Sequence, residues 1–290
     1  MSSHEQTSTA EFPLKSYTIG EEIANGVTHG IGTVLSIVGL VLLAYFVGLT
    51  LGETRRRAWL AALLTLFAGF FVPFWTTTDT FALYGVLGAG VLIALGHAQQ
   101  STHWRWIALA GVLSGLAHLT RADGMLFVIV LVLVMMWPRR DAKFSTQIRL
   151  AGIGVGAYLL VMLPWMLRMV VVTGAPLPSG GLDTIWMRSY DEIVNYPPGA
   201  QLSDFWDWGI GNIIQSRLEA LGVNLGTFVA VETWVVLGPF ALLGLWRVRR
   251  HPFTAGFAWY ALGLHLAMTF VFAFPGYRGG LFHSSAALVP

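Results

Sequence analysis

The fold class is decided by residues 31–51, IGTVLSIVGLVLLAYFVGLTL, a run with no charged side chain. A helix needs about 20 mostly apolar residues to cross the hydrocarbon core of a bilayer, so this run predicts a transmembrane helix. The rest of the chain has the same character: 55% of the 290 residues are hydrophobic, only 11% are charged, and the mean hydropathy is +0.65. Soluble domains carry far more charge. We therefore predict an all-α polytopic membrane protein.

Further apolar segments follow along the chain, and the sequence predicts about eight transmembrane helices in all. The predicted segments are 31–51, 58–74, 81–97, 106–120, 124–138, 150–168, 226–246 and 254–274. The segments at 106–120 and 124–138 are short. They could instead form a tight hairpin that does not fully cross the membrane.

The orientation of the chain follows from its basic residues, because cytoplasmic loops are enriched in lysine and arginine. Four turns on one side hold most of them, namely Arg55, Arg56, Arg57, Arg105, Arg139, Arg140, Lys143, Arg149, Arg247, Arg249 and Arg250. These turns should be cytoplasmic, which places both termini outside. We expect a multi-pass protein of the plasma membrane.

One predicted outer loop is long and spans about residues 171–226. Connections of this length usually carry function. Within the loop, residues 202–221 place aromatic and aliphatic side chains on one helical face and charged ones on the other. This pattern is typical of a helix that lies in the membrane interface. The same segment could instead fold over the helix ends.

Arginine, histidine and acidic side chains lie at the predicted outer ends of the spans. Guanidinium groups bind phosphate oxygens bidentately, and a nearby carboxylate can accept a proton from a hydroxyl. The same arginines could instead extend to lipid headgroups. The candidate residues are Asp79, Arg121, Asp123, Arg168, Arg278 and His283.

Two ionisable residues lie inside predicted spans, Glu232 in 226–246 and His265 in 254–274. In an antiparallel hairpin they reach similar depths, because a helix rises about 1.5 Å per residue. A buried charge in lipid is costly and is usually paired. We therefore expect Glu232 and His265 to form a structural pair that joins the two helices.

Motifs for metals and nucleotides are missing from the sequence. The eight histidines include no pair at i,i+3 or i,i+4, and the chain has no cysteine. It also has no Walker loop and no G-x-S-x-G elbow. We predict no metal site, and the sequence names no cofactor. The isoelectric point near 9.0 comes from loop lysines and arginines, so no nucleic-acid partner is implied.

Residues 17–44, YTIGEEIANGVTHGIGTVLSIVGLVLLA, resemble the opening of a bacterial hemolysin III protein, of the progestin and adipoQ receptor family. The resemblance rests on the run from Glu21 to Gly32 and covers about a tenth of the chain. It implies a seven-helix bundle with a zinc site built partly from a His-x-x-x-His pair, which this chain lacks. The segment faces the cytoplasm in that family, whereas Arg55, Arg56 and Arg57 place it outside here.

From about residue 54 the chain is similar to the GT-C glycosyltransferases, multi-spanning enzymes that use polyprenyl-phosphate sugars. The quoted stretches are TTTDTFALYGVLGAG (76–90), GVLSGLAHLTRADGMLF (111–127), LPWMLRMVVVTGAPLP (163–178) and RGGLFHSSAALVP (278–290). The most telling patterns are Gly-Leu-Ala-x-Leu-Thr-Arg-x-x-Gly and Pro-Trp-x-x-Arg. This resemblance covers about four fifths of the chain.

The GT-C resemblance implies transfer of a sugar from a polyprenyl-phosphate lipid on the outer face. Asp79 and Asp123 would be the catalytic carboxylates. The phosphate would be bound by Arg121, Arg168, Arg278 and His283. Besides the donor, the expected partners are membrane lipids.

The two resemblances divide the chain at its first helix. Residues 1–50 would form a hemolysin III-like tail and helix, and residues 51–290 an incomplete GT-C-like module. In GT-C enzymes a span and an outer loop with a catalytic acid precede the position that 31–51 occupies, so we expect a fusion or a misjoined fragment. The alternative functions are a hemolysin III or receptor-like membrane protein without transferase activity, and a transporter or scaffold.

Overall fold

The computed structural model describes residues 18–75, 80–101, 103–137, 143–177, 181–193 and 200–289. Every regular element within these ranges is helical, so the predicted all-α class is confirmed. Four helices are long and apolar enough to cross a bilayer, or five if the pair at 55–66 and 69–75, bent by 52°, forms one span. The chain is therefore a membrane protein, while the eight predicted crossings are not confirmed.

The helices are α1 (Ile19–Thr50), α2 (Arg55–Leu66), α3 (Val72–Trp75), α4 (Phe81–Ser101), α5 (Trp104–Thr120), α6 (Met125–Met136), α7 (Phe144–Thr173), α8 (Leu202–Asp207), α9 (Ile210–Thr227), α10 (Gly238–Val248), α11 (Pro252–Leu266), α12 (Ala273–Pro275) and α13 (Leu281–Ser285). The four long apolar helices are α1, α4, α7 and α11, the last continued by a π-helical turn to Val271. Each predicted segment overlaps one helix or two consecutive ones, but residues 233–237 of the segment 226–246 are not helical.

Helix α1 begins well before the predicted span. Thr18 caps it, with a capping box in which the Thr18 hydroxyl accepts from the Glu21 amide and the Glu21 carboxylate accepts from the Thr18 amide. Residues 19–32 are exposed throughout, whereas Leu40, Ala44 and Gly48 are buried against the rest of the chain. The 32 residues of α1 extend about 48 Å, longer than a hydrocarbon core of about 30 Å.

Helix α4 lies at the centre of the fold. Of its apolar window 67% is buried, against 17% for α1 and for α7, so its neighbours surround it. The core that α4 forms with α5, α6 and α11 contains the fully buried Tyr84, Ile107, Phe127, Leu131 and Tyr260.

Small residues allow α5 and α7 to pack closely. A side chain at Gly111 would overlap the carbonyl of Gly154, and one at Gly115 would approach Val161 within 2.7 Å. Gly152 and Gly156 lie in open space on the other side of α7, with nothing within 4 Å of an added Cβ, so the packing glycine of α7 is Gly154.

The last third of the chain contains irregular helical turns. Three π-helical turns occur at 228–232, 267–271 and 276–280. The predicted span 226–246 is interrupted after the first of them, where Trp234 and Val235 adopt positive φ angles of 48° and 60°. Left-handed backbone is strained for such residues, and strain of this kind is concentrated at functional sites.

Candidate functional site

The turn between α5 and α6 brings Arg121 next to Asp123. It is a single 3-10 turn, and Gly124 closes it so tightly that any side chain there would overlap the backbone of Ala117 and His118. The Arg121 Nε atom lies 3.2 Å from Oδ1 of Asp123, and Nη2 lies 3.3 Å from Oδ2. This is the two-pronged arrangement in which a guanidinium holds a carboxylate most firmly.

Three buried hydroxyl groups connect this turn to distant parts of the chain. The Ser284 hydroxyl donates a hydrogen bond to Oδ2 of Asp123. The Tyr260 hydroxyl donates to the carbonyl of Ser284 at 3.0 Å, and it lies 3.0 Å from the hydroxyl of Tyr84. We refer to Arg121, Asp123, Ser284, Tyr84 and Tyr260 as the Asp123 cluster. It joins α4, the α5–α6 turn, α11 and α13.

Aromatic rings surround the polar atoms of the Asp123 cluster. The Tyr260 ring stacks on Phe127 with 4.2 Å between centroids, and the Arg121 guanidinium carbon lies 5.9 Å from the centre of the Tyr84 ring. Both tyrosines are completely buried. The charged pair is less so, since the side chain of Arg121 is 22% exposed and that of Asp123 is 12% exposed. Solvent or a ligand can therefore reach the cluster from the arginine side.

The hydrogen bonds distinguish the roles of the two charged groups. The Asp123 carboxylate already accepts from Arg121 and Ser284, which fixes its position. Arg121 uses two of its five N–H groups on Asp123, and its other N–H groups have no acceptor among the described residues. Chemically, the site offers a fixed guanidinium with donors available to an oxyanion.

The other predicted phosphate-binding residues lie apart from this pair. Arg168 is exposed and its guanidinium lies 5.3 Å from the ring centre of Trp165 on the same helix. Arg278 is also exposed, 5.4 Å from the Tyr190 ring and 5.5 Å from the Tyr277 ring. Within the described part of the chain, neither arginine contacts Arg121 or Asp123. The structure thus does not join the three arginines into one site.

His283 is the predicted ligand closest in sequence to the Asp123 cluster, because it precedes Ser284 on α13. Its ring stacks on Phe81 with 3.9 Å between centroids, and its Nδ1 atom lies 2.8 Å from the Gly279 carbonyl. Gly279 has a φ of 121°, a conformation that favours glycine. Asp79, the other predicted catalytic carboxylate, lies outside the described residues.

The predicted intramembrane pair is brought together. The Nε2 atom of His265 lies 3.4 Å from Oε1 of Glu232, and the Glu232 side chain is only 10% exposed. The Nδ1 atom of His265 lies 2.8 Å from the Ala261 carbonyl, which identifies Nδ1 as the protonated nitrogen. Without a proton, Nε2 of His265 and Oε1 of Glu232 are both acceptors. A proton on one of these two atoms is therefore needed for them to attract each other. The role of this pair in joining the helices stays a prediction.

Several polar contacts were not anticipated from the sequence. The His118 Nδ1 atom and the Tyr158 hydroxyl are 2.6 Å apart and join α5 to α7. In the segment between α7 and α9, Arg188 contacts Glu192 at 2.9 Å and Asp204 at 3.8 Å. The only sequence signal for the contact between His118 and Tyr158 was that each lies within a predicted apolar segment.

Among the described residues, no three histidine, aspartate or glutamate side chains converge as metal ligands. The expectation that the chain has no metal site stays a prediction. Comparison with known proteins finds no match to this chain among family models, curated proteins or solved structures.

Proposed function

We propose that the chain is a membrane glycosyltransferase-like protein that uses a polyprenyl-phosphate sugar donor on the outer face. The observation that carries the proposal is the Arg121–Asp123 pair, in which a fixed, partly exposed guanidinium keeps donors free for an anion. Arg121 lies in the stretch that most resembles GT-C enzymes. A lipid phosphate is the anion that such a group would meet at a membrane boundary.

In this proposal Arg121 binds the donor phosphate and Asp123 positions Arg121. A carboxylate that already accepts from a serine and an arginine is better placed to orient a guanidinium than to remove a proton. Asp79 would then act as the base that accepts the proton of the acceptor hydroxyl as the sugar leaves the phosphate. Arg168, Arg278 and His283 would contact the donor from elements other than the α5–α6 turn.

The proposal includes the finer topology. The chain would cross the plasma membrane eight times, with the four basic turns inside and the loop at about 171–226 outside. Support comes from the four or five helices that are long and apolar enough to cross a bilayer, and from the amphipathic helix α9 within that loop. Gly209, with a φ of 92°, lies between α8 and α9, so the segment proposed to lie in the membrane interface consists of two helices.

The experiment is donor-lipid binding in nanodiscs for wild type, Arg121→Lys, Arg121→Ala and Asp123→Asn. Charge-assisted hydrogen bonds contribute about 1.5–3 kcal/mol, so Arg121→Ala should weaken binding roughly tenfold or more. Arg121→Lys should also weaken binding because an ammonium lacks the fork. Asp123→Asn should give a smaller loss of donor affinity, because Arg121 keeps its charge but its guanidinium is no longer held in place by a carboxylate. Arg105→Ala, at the opposite end of α5, is the matched control.

Unchanged donor affinity in both Arg121 variants would refute the phosphate role. It would leave Arg121 as a structural partner of Asp123 and would favour the hemolysin III or receptor-like alternative. A fall in melting temperature without a change in affinity would point to the same conclusion.

A further inference from the structure

An open groove lies between α8, α9 and the end of the α11 span. Its volume is about 500 Å³, within the usual range for small-molecule sites. The walls are apolar and include Phe205, Ile213, Ile214, Leu218 and Phe270, and Arg217 is the charged residue that lines it. None of these residues belongs to the Asp123 cluster.

Arg217 is a half-buried cation, and none of the described carboxylates lies beside it. Its Nη1 atom donates to the Ser216 hydroxyl at 2.8 Å, and its Nε atom donates to the Phe270 carbonyl at 3.4 Å. The guanidinium carbon lies 5.0 Å from the ring centre of Phe205. No carboxylate among the described residues pairs with it, and burial lowers the pKa of the Arg217 guanidinium. The remaining N–H groups are available to a ligand.

The position of the groove identifies the surroundings from which a ligand would come. Phe270 and Val271 line it, and they are the last residues of the candidate span Pro252–Val271. The end of a span lies at the boundary between hydrocarbon and headgroups, where lipid phosphates are concentrated. A hydrocarbon chain would match the apolar walls, and a phosphate would match the guanidinium.

We propose that this groove binds a phosphate-bearing lipid of the surrounding bilayer, with a hydrocarbon chain along α9 and the phosphate on Arg217. The apolar walls and the single cation together select an amphiphile. A free anion would gain nothing from the walls, and an uncharged lipid would leave the guanidinium unpaired. The inference does not depend on the transferase proposal, because the two sites share no residue.

The test uses the full chain in detergent micelles, titrated with phosphatidylglycerol that carries a fluorophore on one acyl chain. For wild type, unlabelled phosphatidylglycerol should compete, whereas diacylglycerol and inorganic phosphate should not. Arg217→Gln should weaken binding about tenfold or more, because it removes the charge-assisted hydrogen bonds. Ile214→Trp should weaken it comparably by filling the groove.

Matched controls are available on the same protein. Leu225→Trp changes a residue on α9 that is 53% exposed, as Ile214 is, but does not line the groove. Arg249→Gln removes an exposed arginine that lies against Trp246 at the predicted cytoplasmic side. Both controls should bind the labelled lipid like wild type.

Three results would overturn the inference. The first is wild-type affinity in both Arg217→Gln and Ile214→Trp, and the second is competition by inorganic phosphate alone. The third is a change of oligomeric state in the groove variants with lipid binding intact, which would mean that a second copy of the chain covers the groove. If a variant fails to fold, the wild-type competition series still decides. The groove variants are read with phosphatidylglycerol and the Arg121 variants with the donor lipid, so the two proposals can fail separately.

Discussion

The hydroxyl chain of the Asp123 cluster makes an asymmetric prediction for Tyr84 and Tyr260. Because Tyr260 donates to the Ser284 carbonyl, the Tyr84 hydroxyl must donate to Tyr260. Tyr84→Phe therefore removes one hydrogen bond, and Tyr260 keeps its acceptor. Tyr260→Phe removes two hydrogen bonds and takes away the Tyr260 oxygen that accepts from the buried Tyr84 hydroxyl.

The magnitudes follow from these counts. Interhelical hydrogen bonds in membranes average about 0.6 kcal/mol, so Tyr84→Phe should lower the free energy of unfolding by about that amount. Tyr260→Phe loses two such bonds and adds a desolvation penalty of about 1 kcal/mol for the Tyr84 hydroxyl, giving about 2 kcal/mol. The double variant has no such stranded hydroxyl. It should therefore be more stable than Tyr260→Phe alone.

Equilibrium unfolding in mixed micelles, followed by tryptophan fluorescence, measures these differences. Tyr45→Phe serves as the control, because the Tyr45 hydroxyl makes no hydrogen bond among the described residues. Equal effects of Tyr84→Phe and Tyr260→Phe, or additive effects in the double variant, would refute the directional chain of hydrogen bonds.

Three further predictions concern packing, the N-terminal helix and topology. Gly111→Ala should destabilise the protein by about 1–3 kcal/mol, because the new methyl group overlaps the Gly154 carbonyl, while Gly152→Ala should stay within about 0.5 kcal/mol in the same unfolding assay. Deletion of residues 1–32 should leave the melting temperature nearly unchanged, whereas deletion of 1–50 removes Leu40 from the core and should lower it markedly; equal melting temperatures would contradict this packing. Reporter fusions after Arg57, Arg140 and Arg250 should show cytoplasm and a fusion after Ser203 the outside, and a cytoplasmic signal at Ser203 would overturn the orientation.

Composition and hydropathy were sufficient for the helical class and for the positions of the long apolar helices α1, α4, α7 and α11. They could not show where a helix begins or breaks. Hydropathy describes the preference of a side chain for apolar surroundings, whereas helix ends depend on backbone conformation. The start of α1 was readable from a different signal, the Thr18-x-x-Glu21 capping box. The break in 226–246 had a partial signal in Gly238-Pro239, which begins α10. No signal in the sequence indicated the positive φ angles of Trp234 and Val235.

The candidate site was predictable only as far as its members are neighbours in sequence. Arg121 and Asp123 are two positions apart at a recognisable turn, so both were identified. Ser284 lies 161 positions from Asp123, and Tyr84 lies 176 from Tyr260. No spacing rule connects such residues, and only tertiary packing brings them together. Glu232 and His265 were predicted to pair because a charge in an apolar span needs a partner. Their side chains lie 3.4 Å apart, and their role in joining the two helices stays a prediction.

The shortness of α6 has a consequence for the lipid around the protein. Its 12 residues extend about 18 Å, well below a hydrocarbon thickness of about 30 Å. If α6 crosses the bilayer as proposed, the bilayer around it would become thinner, or the α5–α6 turn would lie below the plane of the headgroups in a water-filled depression. In the first case the headgroups would approach Arg121 and Asp123, and in the second case these side chains would face water. The acyl-chain length of the host membrane would then set how closely a lipid phosphate approaches the guanidinium.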